Sequence, residues 1–271
     1  MKGMNGWQIK VLYYGKIQLP KSALSPGLDV GLIIDAPYLG FLLQSGSRNI
    51  LVDTGPQKQG TANKGWGGYP VDIEEKPLEK ALHGYAVSPA EIDTVLFTHL
   101  HRSHSGNLQA LAKAQFVFQK DEWLSLLDPL PLISSAEEYD PSYVDVLRSM
   151  NCVKVEGDLD LEDGIKIIKT PGHTPGSQSI LVQTPKGGRI IVGDHWPFFF
   201  NIFPHRELRD LYGNCQSITP PPATVGGYIP SNLVCNYRDY IASSQKIRAL
   251  MVNSSDCLLP GHEPSLLLNT P

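Results

Sequence analysis

Thr98-His99-Leu100-His101-Arg102-Ser103-His104-Ser105-Gly106 directly follows a short apolar run, residues 94–97, and places three imidazoles within residues 99–104. Packing alone does not call for such a cluster. Neutral imidazole binds a borderline divalent ion such as zinc or iron well, so close-spaced nitrogen ligands indicate a metal site. On an extended segment His99 and His101 point to the same side. If the chain then enters a helix, His101 and His104 share one helical face. The stretch therefore offers two ligands to one ion and a third to a neighbouring ion. The competing reading is a surface loop that is merely rich in histidine.

Working outward, two more histidines occupy glycine-proline turns, at Pro171-Gly172-His173 and Pro260-Gly261-His262. Gly193-Asp194-His195 ends an apolar strand, and the two oxygens of Asp194 suit it to bridge two cations. His195, adjacent in sequence, is expected to project elsewhere, with a pocket position as the alternative. Asp53-Thr54-Gly55 also ends a strand, where a carboxylate either orients a ligand histidine or caps the following turn.

Around these turns the chain changes character. Residues 8–14, 30–34, 40–44 and 49–53 read as strands, the last two joined as a hairpin through Ser45-Gly46-Ser47-Arg48. After residue 77 helices alternate with strands: helices near 78–84, 108–114, 121–127, 143–150 and 236–252, and strands near 92–98, 115–119, 152–156, 165–170, 179–183, 189–192 and 257–259. Ser88-Pro89-Ala90-Glu91 is a capping box. Loop insertions are expected near 55–77, 128–143 and 197–230. Trp66 and Tyr69 in the first insertion, and Phe198, Phe199 and Phe200 in the last, either line a substrate pocket or seal the core.

Hydrophobic residues make up 41% of the 271-residue chain and charged residues 18%, enough apolar material for a large core. A formal net charge of -4 argues against nucleic acid, which needs a basic surface. No apolar run approaches a bilayer span. Cys152, Cys215, Cys235 and Cys257 are too sparse for a disulfide framework, and residues 1–7 lack a signal-peptide core, so the cytoplasm is the expected location. The expected partner is a small-molecule substrate, without nucleic acid or membrane; a homo-oligomer is compatible with the composition.

In this order, His-x-His-x-x-His, Pro-Gly-His-Thr-Pro-Gly, Gly-Asp and Pro-Gly-His, together with Asp53-Thr54-Gly55, resemble the metallo-β-lactamase superfamily. The resemblance spans about residues 8–263, and within the superfamily it is to the N-acyl-homoserine lactonase-like branch. It implies a single-domain α/β protein with a four-layer αββα sandwich over residues 1–271 and a metal site at one edge of its two sheets. It also implies that His99, His101 and His173 hold a first ion, and that His104 and His262 hold a second, with Asp194 bridging. The family motif carries an aspartate immediately before the third histidine of the cluster; here that position is Ser103. A neutral hydroxyl in place of an anionic ligand leaves the charge of two divalent ions less well compensated, so the second site is expected to be weaker. If that aspartate handles protons, a metal-bound water, His195 or Glu263 has to serve instead. Arg102 either brings a cation toward the pocket or points to solvent, the latter being the expected placement.

The expected activity is opening of a cyclic ester or amide by a metal-bound hydroxide, with Asp194, His262 and Ser103 at the chemistry and Zn2+, or alternatively Fe or Mn, as cofactor. A mononuclear iron oxygenase on the same fold, or a metal-binding variant impaired by Ser103, is the alternative.

Overall fold

The computed structural model describes residues 6–58, 66–131, 138–222, 229–251 and 255–268. β1 (Gln8–Pro20), β2 (Ile33–Ser45) and β3 (Arg48–Val52) form an antiparallel meander. The β2–β3 hairpin closes at Ser45 and Arg48, as its turn sequence predicts. Where two strands were expected at 30–34 and 40–44, the chain runs as one strand through Asp35, Pro37 and Gly40. Continuous pairing with β1, from Gln8 opposite Gln44 to Pro20 opposite Ile33, carries it across residues that disfavour β structure locally.

β4 (Val71–Asp72) pairs with β1. On the other side of the meander, β5 (Thr94–Leu96), β6 (Gln115–Gln119) and β7 (Asn151–Val155) add in parallel, giving a seven-stranded sheet of order β4-β1-β2-β3-β5-β6-β7. The connections include the helices α1 (Pro77–His83), α2 (Lys120–Leu127) and α3 (Tyr143–Arg148). The capping box at Ser88 forms, but over a 3-10 turn, Pro89–Glu91. The helix expected at 108–114 is likewise a 3-10 turn, Leu108–Leu111.

The second sheet begins with β8 (Leu159–Glu162), β9 (Ile165–Lys169), β10 (Gln178–Thr184) and β11 (Gly187–Gly193), all antiparallel. β14 (Leu258–Pro260) then adds in parallel beside β11. Between β11 and β14 lie a small hairpin of β12 (Glu207–Arg209) and β13 (Cys215–Ser217) and the helix α4 (Tyr237–Leu250), which Asn236 caps by accepting from the Arg238 and Asp239 amides. α5 (Ser265–Leu268) follows β14.

Side-chain alternation along the strands sorts the apolar residues into three clusters. Phe41, Leu43, Ile50, Val52, Leu96 and Val117 face Ile165, Ile167, Ile180, Val182 and Ile191 between the two sheets. Their sequence neighbours Leu42, Leu51, Val95, Phe116 and Phe118 point the other way, against Leu78, Leu82, Leu126 and Leu147 of α1–α3. Ile190 and Val192 pack against Tyr240 and Ile247 of α4. The result is four layers, αββα, the architecture that the resemblance implies. No helix among the described residues is long and apolar enough to cross a membrane.

Candidate metal centre

Strand ends deliver every expected ligand. His99, His101 and His104 follow β5, His173 follows β9, Asp194 follows β11, His262 follows β14, and Asp53 follows β3. The turns approach closely enough to demand glycine at two points. A Cβ on Gly172, at φ 140°, would lie 2.5 Å from the Tyr240 Cα, and one on Gly193, at φ 52°, would lie 2.5 Å from the Thr98 hydroxyl.

Asp194 divides its two oxygens between two groups of imidazoles. Its Oδ1 lies 3.2 Å from His104 Nε2 and 3.0 Å from His262 Nε2. Its Oδ2 lies 3.9 Å from His99 Nε2 and 3.8 Å from His173 Nε2. His173 Nε2 is 3.2 Å from His101 Nδ1. The ligand atoms of His99, His101 and His173 all fall within 4.8 Å of one another, as do those of His99, His104 and Asp194.

The other ring nitrogens fix the tautomers. A carbonyl can only accept, so His173 Nδ1 donates to Leu233 O (2.6 Å) and His262 Nδ1 to Pro37 O (2.7 Å), leaving both Nε2 lone pairs free. The Thr98 hydroxyl donates to Asp53 Oδ2 (2.7 Å) and can accept from His99 Nδ1 at 3.0 Å, which frees His99 Nε2 in the same way. Asp53 Oδ2 also meets His104 Nδ1 at 2.8 Å, and its Oδ1 accepts from the Thr98 amide. Asp53 holds a left-handed φ of 58°, a conformation costly for a non-glycine residue. Its carboxylate thereby braces ligands of both groups. Replacing Asp53 by Asn is expected to weaken binding of the His104-side ion by roughly 10–100-fold, the usual cost of losing a ligand's orienting partner; metal titration of the variant checks this.

Burial is the largest influence on these groups. It holds His99 and His101 well below the usual imidazole range, reinforced by the neighbouring rings, and lowers His173 despite Asp194. For His104 burial acts in the same direction, but Asp194 and Asp53 outweigh it and lift the ring to about 10. Burial pushes the Asp194 carboxyl up, but His262 and His104 overcome that and hold it well below its ordinary value. His99 Nε2, His104 Nε2 and Asp194 Oδ1 are buried without a hydrogen-bond partner. The free lone pair of His99 Nε2 and the unpaired Asp194 Oδ1 beside the His104 ring are what a divalent ion, taking the place of the extra His104 proton, would satisfy, so the donor set fits a metal.

Glu122 of α2, fully buried, supports the arrangement from below. Its carboxylate accepts from the Leu100 amide (2.8 Å), the Tyr139 hydroxyl (2.8 Å) and the Thr174 hydroxyl (2.6 Å). Tyr139 in turn packs edge-on against His101 at 4.7 Å. Nothing in the sequence distinguishes Glu122 from a solvent-facing helix residue.

A cleft opens on the ligands, with His173, Asp194 and His262 in its lining. Ser103 lines it too, and so does Arg102, which was expected to face solvent. The rest of the wall includes Ile17, Leu19 and Tyr38 from the meander, Val71 and Ile73 in the insertion expected at 55–77, and Glu138 and Tyr143 in the one expected at 128–143.

Several expected pocket residues lie elsewhere. Phe198 and Phe200 stack on each other at 4.8 Å inside the core against the first sheet, where Phe200 also faces the Lys21 ammonium. Phe199 packs beside Phe203 and His205 in the layer of α4. Tyr69 packs against the helical side of the first sheet. The Trp66 side chain lies outside the described residues. His195 turns away from Asp194 to stack on Tyr240 at 4.6 Å, with Nε2 2.9 Å from the Ser244 hydroxyl. Burial pushes it down to about 3. Glu263 accepts from the Phe199 amide and from Ser265. Neither His195 nor Glu263 lines the cleft.

Residues 37–212 match the family model of the metallo-beta-lactamase superfamily. The N-acyl homoserine lactonase of a Bacillus species is 28% identical over 197 residues, 68% of this chain and 74% of that protein. The N-acyl homoserine lactonase AttM of Azorhizobium caulinodans is 23% identical over 278 residues, 96% of this chain and 95% of its own length. Among solved structures, an N-acyl homoserine lactone hydrolase with the product N-hexanoyl-L-homoserine at its catalytic metal centre superposes with a TM-score of 0.77 at 19% identity, covering 99% of this chain and 98% of the other.

Proposed function

The chain belongs to the metallo-beta-lactamase superfamily, and on that premise we propose that it is a metal-dependent hydrolase that opens a cyclic ester or cyclic amide, with a lactone as the favoured substrate. The observation that carries this reading is Asp194, whose Oδ1 and Oδ2 serve two separate imidazole groups beside a cleft. The lactonase relatives support the choice of a ring-opening hydrolase.

His99, His101 and His173 would hold one ion, and His104, His262 and Asp194 a second, with zinc the metal best suited to this mostly nitrogen donor set. When bound, such ions supply Lewis acidity toward a carbonyl and an acidified water as nucleophile. The chain's own residues do the positioning. Asp53 and the carbonyls of Leu233 and Pro37 hold the rings in the tautomer that leaves Nε2 open. The apolar wall of Ile17, Leu19, Val71 and Ile73 excludes water from the side of the cleft that would take the rest of the substrate.

Ser103 makes the two sites unequal. Asp194 is the one carboxylate among the proposed ligands, and it compensates only part of the charge of two divalent ions. The first site would therefore hold its ion firmly and the second weakly. Zinc-loaded protein is expected to release one acid equivalent per lactone consumed, followed at constant pH. Consumption of oxygen on turnover, with iron as the resident metal, would overturn the hydrolase reading.

A further inference from the structure

Two buried hydrogen-bond donors in the cleft lack any acceptor. Arg102 Nε and the Tyr143 hydroxyl are each shielded from solvent and make no hydrogen bond, and Tyr143 as a whole is 5% exposed. Both residues line the cleft beside Ser103. They come from separate elements, the ligand loop after β5 and the first residue of α3. The Arg102 amide donates to the Glu138 carbonyl (2.8 Å), which ties the loop to the segment leading into α3. Leaving a donor buried and unsatisfied costs stability, because its bond to water is lost and nothing replaces it. A guanidinium Nε–H can only donate, and it carries a permanent charge. Glu138 brings a carboxylate to the same lining, an acceptor whose charge opposes a second carboxylate, but it bonds to neither Arg102 Nε nor the Tyr143 hydroxyl, so both donors stay available.

We propose that Arg102 and Tyr143 form a substrate-reading subsite that binds a carboxylate carried by the substrate away from the bond that is cleaved. One oxygen takes the Arg102 Nε–H and the other the Tyr143 hydroxyl. The intervening part of the substrate runs along the apolar residues Ile17, Leu19, Val71 and Ile73. This narrows the substrate from a lactone in general to an acidic lactone, and it rests on the hydrolase reading above. Tyr143 lies within electrostatic reach of Arg102, which favours its ionised form, but burial dominates and keeps the phenol protonated and able to donate.

The test compares two γ-lactones on the metal-loaded protein, one with a side chain ending in a carboxylate and the other with its methyl ester. The unaltered chain is expected to favour the acid by roughly tenfold or more in kcat/KM, mainly through KM, as befits hydrogen bonds to a charged group. In Tyr143→Phe and in Arg102→Met the acid-to-ester ratio should fall toward one, and Arg102→Lys should recover only part of it. Metal content and melting temperature verify that each variant is folded and loaded. Calorimetric binding of hexanoate against hexanamide repeats the comparison without turnover. If no lactone is opened but the hexanoate preference exists and collapses in both variants, the hydrolase reading falls and the subsite stands. Equal treatment of acid and neutral ligands by the unaltered chain, or a preference that survives in both variants, overturns the subsite.

Discussion

Asp194→Asn is expected to lower lactone hydrolysis by at least about a thousandfold in kcat/KM, equivalent to about 4 kcal/mol of lost transition-state stabilisation. The substitution keeps the shape of the side chain and removes its charge. More specifically, one of its two termini becomes an amide NH2, which has no lone pair to offer an ion. Both ends of Asp194 are in use: Oδ1 faces His104 and His262 at 3.2 and 3.0 Å, and Oδ2 faces His99 and His173 at 3.9 and 3.8 Å. Asn can serve only one group, and the other keeps its imidazoles without an anion. The kinetic constant should therefore be measured together with metal content in excess zinc, where the unaltered chain binds two ions and the variant should bind one or fewer. A variant that retains both ions and more than a tenth of the activity would show that Asp194 does not join the two groups.

Glu122→Ala should produce the largest loss of stability. It removes the acceptor for the Leu100 amide and for the Tyr139 and Thr174 hydroxyls, three donors buried beneath the ligand loops. The Thr174 hydroxyl can turn to the Ser177 hydroxyl at 2.6 Å, so the Leu100 amide and the Tyr139 hydroxyl are the two left stranded, and at about 1–3 kcal/mol each even the low end amounts to about 2 kcal/mol. For a chain of this size that corresponds to a fall in melting temperature of roughly 4–8 °C. The effect reaches the metal centre because Leu100 lies between His99 and His101, Thr174 follows His173, and Tyr139 packs on His101. Metal affinity should therefore drop along with stability. Glu122→Gln separates positioning from charge: its remaining oxygen can serve Leu100 and Tyr139, and its NH2 can donate to the Thr174 hydroxyl. That variant should recover most of the melting temperature; failure to do so would mean that the charge, and not the set of hydrogen bonds, is what holds the loops.

The residues of the candidate metal centre were legible in the sequence because ligand chemistry is local. His99 to His104, His173, Asp194 and His262 each sit in a short turn whose glycine or proline neighbours announce it, and ligand chemistry restricts the residue types. The meeting of those turns follows from the sheets, whose strands were readable from their alternating apolar residues. His195 was read two ways, as projecting elsewhere because it is adjacent to Asp194 on the chain or as lining the pocket, and it faces away, into the layer of α4. The cleft was not legible. Its wall is assembled from Ile17, Val71, Arg102, Glu138 and Tyr143, which are far apart in sequence and individually unremarkable in type. The run Phe198 to Phe200 shows the converse limit. Three phenylalanines suit a core and a substrate pocket equally, and the 3-10 turn beginning at Phe199 sends Phe198 and Phe200 inward together. In the same way the interruption of β2 at Pro37 is resolved only by its long pairing with β1, and the Pro37 carbonyl then serves to orient His262.

The proposed centre is a pair of unequal metal sites joined by Asp194 and weakened on one side at Ser103. The decisive measurement is zinc stoichiometry after exhaustive dialysis, made in parallel on the unaltered chain and on Ser103→Asp. One retained ion per chain is expected in the unaltered protein, with a second that binds only when zinc is supplied in excess, and two retained ions in Ser103→Asp. Two ions held equally firmly by both proteins, or none retained by either, would rule out the unequal pair.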